Sequence, residues 1–357
     1  MYTYNYWFTV ESNKESILKK ATLKDIARET GVSARSVSNA INRTGRISSE
    51  TRDRILKIAE ELNYQPNMMA KGLVEQKTYL IGVVLPYLSS SFFTNIINGI
   101  EERCVEKGFD IILGNSSSKT RSEKNVIKRM VNRRVDGIIC CPDPRYFEFY
   151  QELRATNIPL IQIMTHVKDT EARSLLVDDE MGGYMATLHL LDLGHERIGF
   201  LDYRESFYEE IQLRKQGYQR ALIEKGVPLD LKRFNEPSDL SIDGAYIAMK
   251  RLLNRNPSLT AVFAATDRAA IGAVQACLES GRNVPDDISV IGYDDIEIAE
   301  HQIRYPLTTI AQPKEKIGEL SFDMLRRLIA DEKVESQVLK PELVIRKTTK
   351  LLGPQRV

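Results

Sequence analysis

Cysteine and histidine are the residue types that most often hold metals or supply nucleophiles and bases, and this chain has four of each. Its cysteines show no metal-ligand spacing, and Cys140 and Cys141 stand side by side after an apolar run, as reduced residues of a buried strand would. The sequence also contains no Walker phosphate loop and no set of nucleophile, base and orienting group. The residue pattern therefore favours binding over catalysis and predicts no metal and no cofactor.

Charge is distributed unevenly along the chain. Between Lys19 and Lys77, twelve Lys or Arg stand with seven Asp or Glu, a local charge of +5 in a chain of net charge +1. The remainder therefore carries −4. A basic N-terminal segment on a mildly acidic body indicates a nucleic-acid-binding module, although a solvated helical surface has the same charge pattern.

Residues 21–66 carry the pattern of three short helices. Thr22 is placed to cap a first helix that ends at Gly31, and Ser33 is placed to cap a second one soon after. The third helix begins after Ser48 or the serine that follows it. Two helices joined by a tight turn, with a third packed on them, predict a helix-turn-helix unit.

Beyond residue 78 the pattern changes to alternating strands and helices. We predict helices such as Phe92–Lys107 and Glu123–Asn132, and strands over Leu80–Leu85, Asp110–Leu113, Gly137–Cys141, Leu160–Met164, Ile198–Leu201, Ala261–Ala264 and Ser289–Gly292. Repeated strand–helix units predict parallel sheets covered by helices. The segment is long for one sheet, so we expect two lobes, with ligands at the carboxyl ends of the strands.

The two ends of the chain differ from the rest. Residues 1–20 are rich in Tyr, Phe and Trp without a clear period, and we expect an N-terminal extension that is disordered or non-native, with translation beginning near Leu18. Residues 351–357 form a tail without apolar heptads, which favours a dimer over a tetramer. No basic segment leads into an apolar stretch and no apolar run is long enough to span a bilayer, so we expect a cytoplasmic protein.

A series of short motifs occurs in a fixed order along the chain. Among them are Thr22-Leu23-Lys24-Asp25-Ile26-Ala27, Asn63-Tyr64-Gln65-Pro66-Asn67, Val290-Ile291-Gly292-Tyr293-Asp294-Asp295 and Pro306-Leu307-Thr308-Thr309-Ile310. In this order they resemble the lactose/galactose repressor (LacI/GalR-type) family of bacterial transcription regulators. The resemblance covers roughly Leu18 to Lys350.

The resemblance implies a division of the chain into parts. It predicts an N-terminal all-α helix-turn-helix headpiece at 21–66, followed by a hinge helix and linker at 67–78. It also predicts a two-lobed α/β core at 79–350 that resembles periplasmic sugar-binding proteins, with parallel sheets flanked by helices. The chain is expected to cross between the lobes near residues 178, 308 and 338.

In such a headpiece the second helix enters the major groove of DNA. This implies base reading by Ala34, Arg35 and Asn39, since Arg can bind guanine O6 and N7 and Asn can bind adenine N6 and N7. Without the resemblance, Arg35 and Asn39 are plain surface residues. Phosphate contacts set the register, and the residues suited to them are Thr22, Ser33, Asn42, Ser48 and Tyr64, of which Ser33 and Ser48 also act as helix caps.

The hinge segment carries a second implied DNA contact. Leu73 occupies the position of the family's minor-groove wedge, and Ala70 lies on the same helical face. Gly72 disfavours helix, which fits a segment that becomes helical on DNA. Taken alone, Leu73 would be ordinary packing.

The core carries the implied effector site. Arg214, ahead of a Gly-aromatic pair, and Asp294 are expected to grip ligand hydroxyls, since hydrogen bonds to charged groups are strong; a structural ion pair is the alternative for each. The other expected effector residues are Phe92, Phe93, His166 and Asp267. Thr266, Asp239 and Leu240 depart from the family's usual residues, so the pocket chemistry is individual.

We therefore expect a sequence-specific transcription repressor whose operator affinity is controlled by a small ligand, a sugar, bound between the core lobes. Its expected partners are pseudopalindromic double-stranded operator DNA, the effector and a second copy in a homodimer, with no membrane; the protein would be associated with the nucleoid. The alternative is a sugar-binding transport component or sugar enzyme on the same core fold. A transport component would need export, an enzyme would turn its ligand over, and neither uses a basic headpiece.

Overall fold

The computed structural model describes residues 21–64, 77–116, 122–168, 170, 172–204, 208–301 and 305–353. The chain divides into two units, Met1–Gln76 and Lys77–Val357. In the first unit, the described residues form the helices α1 (Leu23–Thr30), α2 (Ala34–Ile41) and α3 (Ser49–Glu61). They close on a small apolar core that consists of Ile26, Val37, Ala40, Ile55 and Ala59.

α1 and α2 begin after the predicted caps Thr22 and Ser33, and α3 begins after Ser48, one of the two candidates that the sequence offered. The hydroxyls of Thr22, Ser33 and Ser48 accept hydrogen bonds from the amides three residues further on, at 3.4, 3.1 and 3.2 Å. Asp25 returns the first of these bonds by accepting from the Thr22 amide at 2.9 Å, which completes a capping box. Gly31 ends α1 with a φ of 68°, a left-handed conformation that favours glycine.

The second unit contains two six-stranded sheets. The first, in the order β11-β5-β4-β3-β1-β2, is parallel at every pairing. Its strands are β1 (Leu80–Leu85), β2 (Asp110–Asn115), β3 (Gly137–Cys140), β4 (Leu160–Ile163), β5 (Arg173–Val177) and β11 (Gln337–Leu339). Central strands such as β1 are apolar and buried along almost their whole length, because helices cover both faces of a parallel sheet.

The second sheet has the order β12-β10-β9-β8-β6-β7. Its strands are β6 (Ile198–Tyr203), β7 (Asn235–Ser238), β8 (Ala261–Ala264), β9 (Ser289–Asp294), β10 (Thr308–Ala311) and β12 (Glu342–Val344). The edge strand β12 runs antiparallel to β10, and the other pairings are parallel. Both sheets therefore have the doubly wound character that the strand–helix alternation predicted.

The helices that cover each sheet define the two lobes. Lobe 1 is the first sheet with α4 (Ser91–Lys107), α5 (Glu123–Asn132), α6 (Phe147–Leu153) and α13 (Lys314–Ile329). Lobe 2 is the second sheet with α7 (Asp179–Asp192), α8 (Glu209–Glu224), α9 (Leu231–Phe234), α10 (Ile242–Arg255), α11 (Asp267–Glu279) and α12 (Glu297–His301). No helix in the described ranges is both long enough and apolar enough to cross a membrane.

The chain passes between the lobes three times in the residues described here. It leaves lobe 1 between Val177 and Asp179, returns between Ala311 and Lys314, and crosses again between Leu339 and Glu342. Since the strands of each sheet are not contiguous in sequence, the carboxyl ends of strands from distant segments meet near these crossings.

Candidate functional site

Of the predicted base-reading residues, Arg35 and Asn39 lie on the side of α2 that points away from the headpiece core, whereas Ala34 stands one turn before the buried Val37. Val37 and Ala40 are fully buried, whereas Arg35 is exposed and Ala34 and Asn39 are half-buried. Arg35 and Asn39 are four residues apart and therefore share one helical face. The helix thus presents the guanidinium and the amide on one side, which is the arrangement that a reading helix requires.

Asn39 is also part of the connection between α2 and α3. Its Oδ1 lies 3.5 Å from the Thr44 hydroxyl, and the Thr44 amide donates to the Asn39 carbonyl oxygen at 2.9 Å. The backbone of Asn39 is therefore tied to this connection, and its side-chain oxygen lies beside the Thr44 hydroxyl.

The predicted phosphate-binding residues differ in how the protein itself uses them. Thr22, Ser33 and Ser48 are exposed caps, and Asn42 is exposed with its Nδ2 donating to Ser38 Oγ at 3.3 Å. Tyr64 is half-buried against the headpiece core, and burial raises the pKa of its phenol. Ala70 and Leu73 lie outside the described residues.

In the core, Arg214 is held by several groups at once. Its Nε donates to Asp179 Oδ1 at 2.8 Å and its Nη1 donates to the Ala265 carbonyl oxygen at 2.7 Å. The guanidinium lies over the Tyr293 ring, 3.7 Å from its centre. Burial alone would lower the pKa of Arg214. The negative charges of Asp179 and the other nearby acidic groups have the larger effect, so the pKa of Arg214 is raised.

Asp294 lies beside this arginine at the carboxyl end of β9. Its Oδ1 is 3.7 Å from Arg214 Nη1 and accepts from Gln312 Nε2 at 2.7 Å. Burial raises the pKa of Asp294 to about 6, and the charge of Arg214 opposes that shift. The residue has a φ of 114°, an uncommon conformation for a residue with a side chain and one that is concentrated at functional sites.

Asp267 is fully buried, and each of its carboxylate oxygens accepts a hydrogen bond from the protein. Oδ1 accepts from the Thr309 hydroxyl at 2.5 Å, and Oδ2 accepts from the Ile296 amide at 2.8 Å. It therefore ties the segment after Asp294 to β10. This geometry fits a supporting position behind the ligand groups better than direct ligand contact.

The remaining expected effector residues come from lobe 1. Phe92 is buried and Phe93 half-buried at the start of α4, with their rings edge to face at 5.2 Å. His166 follows β4 and places its Nδ1 3.8 Å from Glu209 Oε2 of lobe 2. The structure thus joins Arg214 with Asp294 and brings His166 to the start of α8, while the two phenylalanines contact one another.

Known proteins share both parts of this architecture. Residues 22–67 match bacterial regulatory proteins of the lacI family, and residues 187–349 match the periplasmic binding protein-like domain. The chain is 34% identical over 338 residues to the HTH-type transcriptional repressor PurR of Vibrio parahaemolyticus, covering 93% of this chain and 100% of that protein. It is 33% identical over 333 residues to the ribose operon repressor of Haemophilus influenzae, covering 92% and 98%.

A solved repressor structure is also similar to this chain. The lac repressor dimer bound to operator and the anti-inducer ONPF aligns with a TM-score of 0.81 and 30% identity, over 93% of this chain and 100% of that one. The chain belongs to the LacI family of bacterial regulatory proteins. The predicted family and fold class are confirmed, and this LacI-family protein is a DNA-binding transcription regulator with a ligand-binding core.

Sequence reasoning missed several groups that surround Arg214 in this LacI-family regulator. Asp179 and Tyr293 hold its guanidinium, and Gln312 holds Asp294. Lys314 Nζ donates to the carbonyl oxygens of Asp294 and its neighbour at 2.7 Å each, so a cation from lobe 1 fixes the end of β9. Tyr293 lies inside a motif quoted above, but the pairing of Asp179 with Arg214 spans 35 positions and has no local signal.

The first turn of α8 was also missed. Glu209 Oε1 lies 3.0 Å from Lys168 Nζ, so this LacI-family core has an ion pair between its lobes close to His166. The sequence could have indicated that this turn lies near the expected effector residue. Glu210 stands four residues before Arg214 and therefore shares its helical face.

Proposed function

We propose that this regulator is a repressor that binds a pseudopalindromic operator through α2. Arg35 and Asn39 read base edges in the major groove, and Ala34 contacts a thymine methyl group or leaves space beside it. Thr22, Ser33, Asn42, Ser48 and Tyr64 contact phosphates, and Ala70 and Leu73 contact the minor groove at the operator centre. The position of exposed Arg35 and half-buried Asn39 on one face of α2 supports this assignment.

The effector is a small ligand, a sugar, that binds between the lobes at Arg214 and Asp294. The observation that carries this proposal is the 3.7 Å approach of their charged groups at the carboxyl end of β9, where Asp294 has a φ of 114°. Carboxyl ends of parallel strands are the usual ligand position in open α/β sheets. His166, Phe92 and Phe93 close the site from lobe 1, and Asp267 supports the segment that carries Asp294.

Effector binding controls operator affinity through the relative position of the lobes. Glu209 pairs with Lys168, and Lys314 binds the end of β9, and both contacts join the lobes. A ligand at Arg214 would strengthen or weaken them. A ligand shifts this equilibrium only by its differential affinity for the two arrangements. The regulator acts as a cytoplasmic, nucleoid-associated homodimer, consistent with the dimeric lac repressor on operator that it resembles.

The test is binding of the purified protein to DNA upstream of its own gene, with and without a panel of sugars. Salt is held constant, because phosphate contacts make protein–DNA affinity salt-dependent. Specific binding that one sugar changes establishes the proposal and identifies the effector. Specific binding that no sugar changes retains the repressor and refutes the sugar, whereas a genome-wide search without any specific site refutes the repressor.

A further inference from the structure

Glu210 lies in the first turn of α8, one helical turn before Arg214. Its Oε2 is buried and has no hydrogen-bond partner among the residues that the structure describes. A buried carboxylate oxygen without a partner costs stability, so a folded protein that keeps one usually has a use for it. The contacts described above do not use this oxygen.

The carboxylate stands at the junction of the two lobes. The side chain of Glu209, its neighbour, reaches Lys168 of lobe 1 at 3.0 Å. Cys141, which follows β3 of lobe 1, has a thiol whose pKa is raised by burial and next by the negative charge of Glu210. Glu210 therefore lies at the junction of the lobes, one helical turn from Arg214.

The charges around Glu210 leave it without a cation of its own. Arg214, the nearby cation, already pairs with Asp179 at 2.8 Å and approaches Asp294 at 3.7 Å. Burial raises the pKa of Glu210 to about 7; Asp179 and Glu209 raise it as well, while a hydrogen bond to its own backbone and the charge of Arg214 oppose the shift. The charged form of Glu210 therefore lacks a cation of its own among the described residues, and the oxygen without a partner belongs to this group.

We propose that Glu210 is a specificity-determining residue of the effector site, and that the effector carries a protonated amine that pairs with Oε2 of Glu210. The inference rests on the proposed effector site between the lobes. A hydroxyl group would satisfy the hydrogen bond but leave the charged form of Glu210 without a cation, and a phosphate or carboxylate would repel that form. An ammonium group donates the hydrogen bond and balances the charge.

Ligand selectivity of the full-length protein gives the first test. Thermal shift and calorimetry at about pH 7 compare glucosamine, galactosamine and mannosamine with their neutral parent hexoses and the hexose 6-phosphates. Within a hexose series, the hexosamine should bind more tightly than its neutral parent hexose, and the hexose 6-phosphate should bind most weakly. Glu210→Gln should weaken the amine about ten-fold and change the neutral parent little, since a charged hydrogen bond becomes a neutral one.

The matched control is Glu224→Gln, at the other end of the same helix. Glu224 is exposed and pairs with Arg220 and Tyr184, so this change removes the same charge from α8 away from the lobe junction. It should leave ligand selectivity as in the wild type. A 6-phosphate that binds as tightly as its neutral parent, or an amine that binds Glu210→Gln and the wild type equally, overturns the proposal.

A second measurement needs no ligand. Because the folded protein holds a Glu210 proton that the unfolded chain releases more readily, Glu210→Gln should raise the melting temperature at about pH 8 and change it little at about pH 5. The titratable and charged groups that face Glu210 include Asp179, Arg214 and Glu209 of lobe 2 and Cys141 of lobe 1, and all of them remain in the variant. If no panel member binds, the absence of this pH-dependent gain refutes the role of Glu210, and its presence supports it. Failure of the proposed function appears separately, as specific DNA binding that no ligand alters.

Discussion

Arg214 and Asp179 form an ion pair whose side chains are only 4% and 2% exposed, with Nε 2.8 Å from Oδ1. The pair depends on the close crossing of α7 and α8. A Cβ on Gly183 would lie 2.0 Å from the Arg214 carbonyl oxygen, and one on Gly217 would lie 2.0 Å from the Glu180 carbonyl oxygen. Glycine at both positions therefore lets the two helices approach closely enough to form the pair.

Arg214→Ala is expected to destabilise the core as well as to abolish effector binding. Removing the arginine leaves the buried Asp179 without its partner, and broken buried pairs cost about 3–5 kcal/mol in the free energy of unfolding. Urea denaturation of the full-length protein measures this loss. Arg220→Ala is the control on the same helix: its pair with Glu180 is more than a third exposed, so it should cost about 1 kcal/mol or less. Equal losses in the two variants would contradict a structural role for the Arg214 pair.

Arg35→Ala is expected to lower operator affinity by about 1–3 kcal/mol and to relax specificity at one base pair. The physical reason is the loss of a bidentate contact to guanine from an exposed side chain on α2. Fluorescence anisotropy at constant salt, on the operator and on single-base-pair variants, measures both effects. Arg28→Ala on α1 provides the comparison, since Arg28 is 73% exposed and pairs with Asp25. An identical loss on operator and random DNA would rule out base reading by Arg35.

Ser33 allows helix capping to be separated from phosphate binding. Ser33→Ala should cost about 1 kcal/mol of headpiece stability, because the Ser36 amide loses its acceptor. Ser33→Asp restores an acceptor and places a negative charge at the helix N-terminus, so stability should recover. The same carboxylate would repel a DNA phosphate, and operator affinity should therefore fall further in this variant than in Ser33→Ala. If the Ser33→Asp variant binds operator as tightly as the wild type, Ser33 only caps α2.

The headpiece was predictable because its signals are local. A Ser or Thr cap needs only the amide three residues on, and Gly31 needs only its own backbone conformation, so helix ends followed from residue types. Buried strands such as β1 and β8 were predictable from short apolar runs. The strand β7, with the sequence Asn-Glu-Pro-Ser, has no such pattern and forms because its backbone pairs with β6 at a sheet edge.

The candidate effector site was only partly predictable. The family resemblance indicated Arg214 and Asp294, which the structure brings within 3.7 Å. The groups that hold them come from segments distant in sequence, which meet only when the lobes form. Lys314 reaches the end of β9 because the chain crosses back to lobe 1 directly after β10, a relationship that no local pattern encodes.

A second buried carboxylate, Glu123 at the start of α5, gives the core a pH-dependent stability. Glu123 is 2% exposed and accepts from the Asp143 amide at 3.1 Å and from the Tyr150 hydroxyl. Burial raises its pKa to about 7, while these two hydrogen bonds oppose the shift; the charges of Asp143 and Arg145 act in opposite directions. The folded state therefore keeps a proton that the unfolded chain loses near pH 4.5.

Because the pKa of Glu123 is higher in the folded state than in the unfolded chain, its protonation stabilises the fold fully below about pH 4.5. This stabilisation, roughly 3 kcal/mol in the free energy of unfolding, is lost as the pH rises to about 7. Glu123→Gln keeps an acceptor for Tyr150 and does not titrate, so urea denaturation between these pH values should show a shallower decline than in the wild type. The decline should not vanish, because the pKa of Glu210 is raised to about 7 as well and acts in the same direction. Combining Glu123→Gln with Glu210→Gln should flatten the pH profile of stability further. If the stability of Glu123→Gln alone falls in parallel with that of the wild type across this window, Glu123 does not hold the proton.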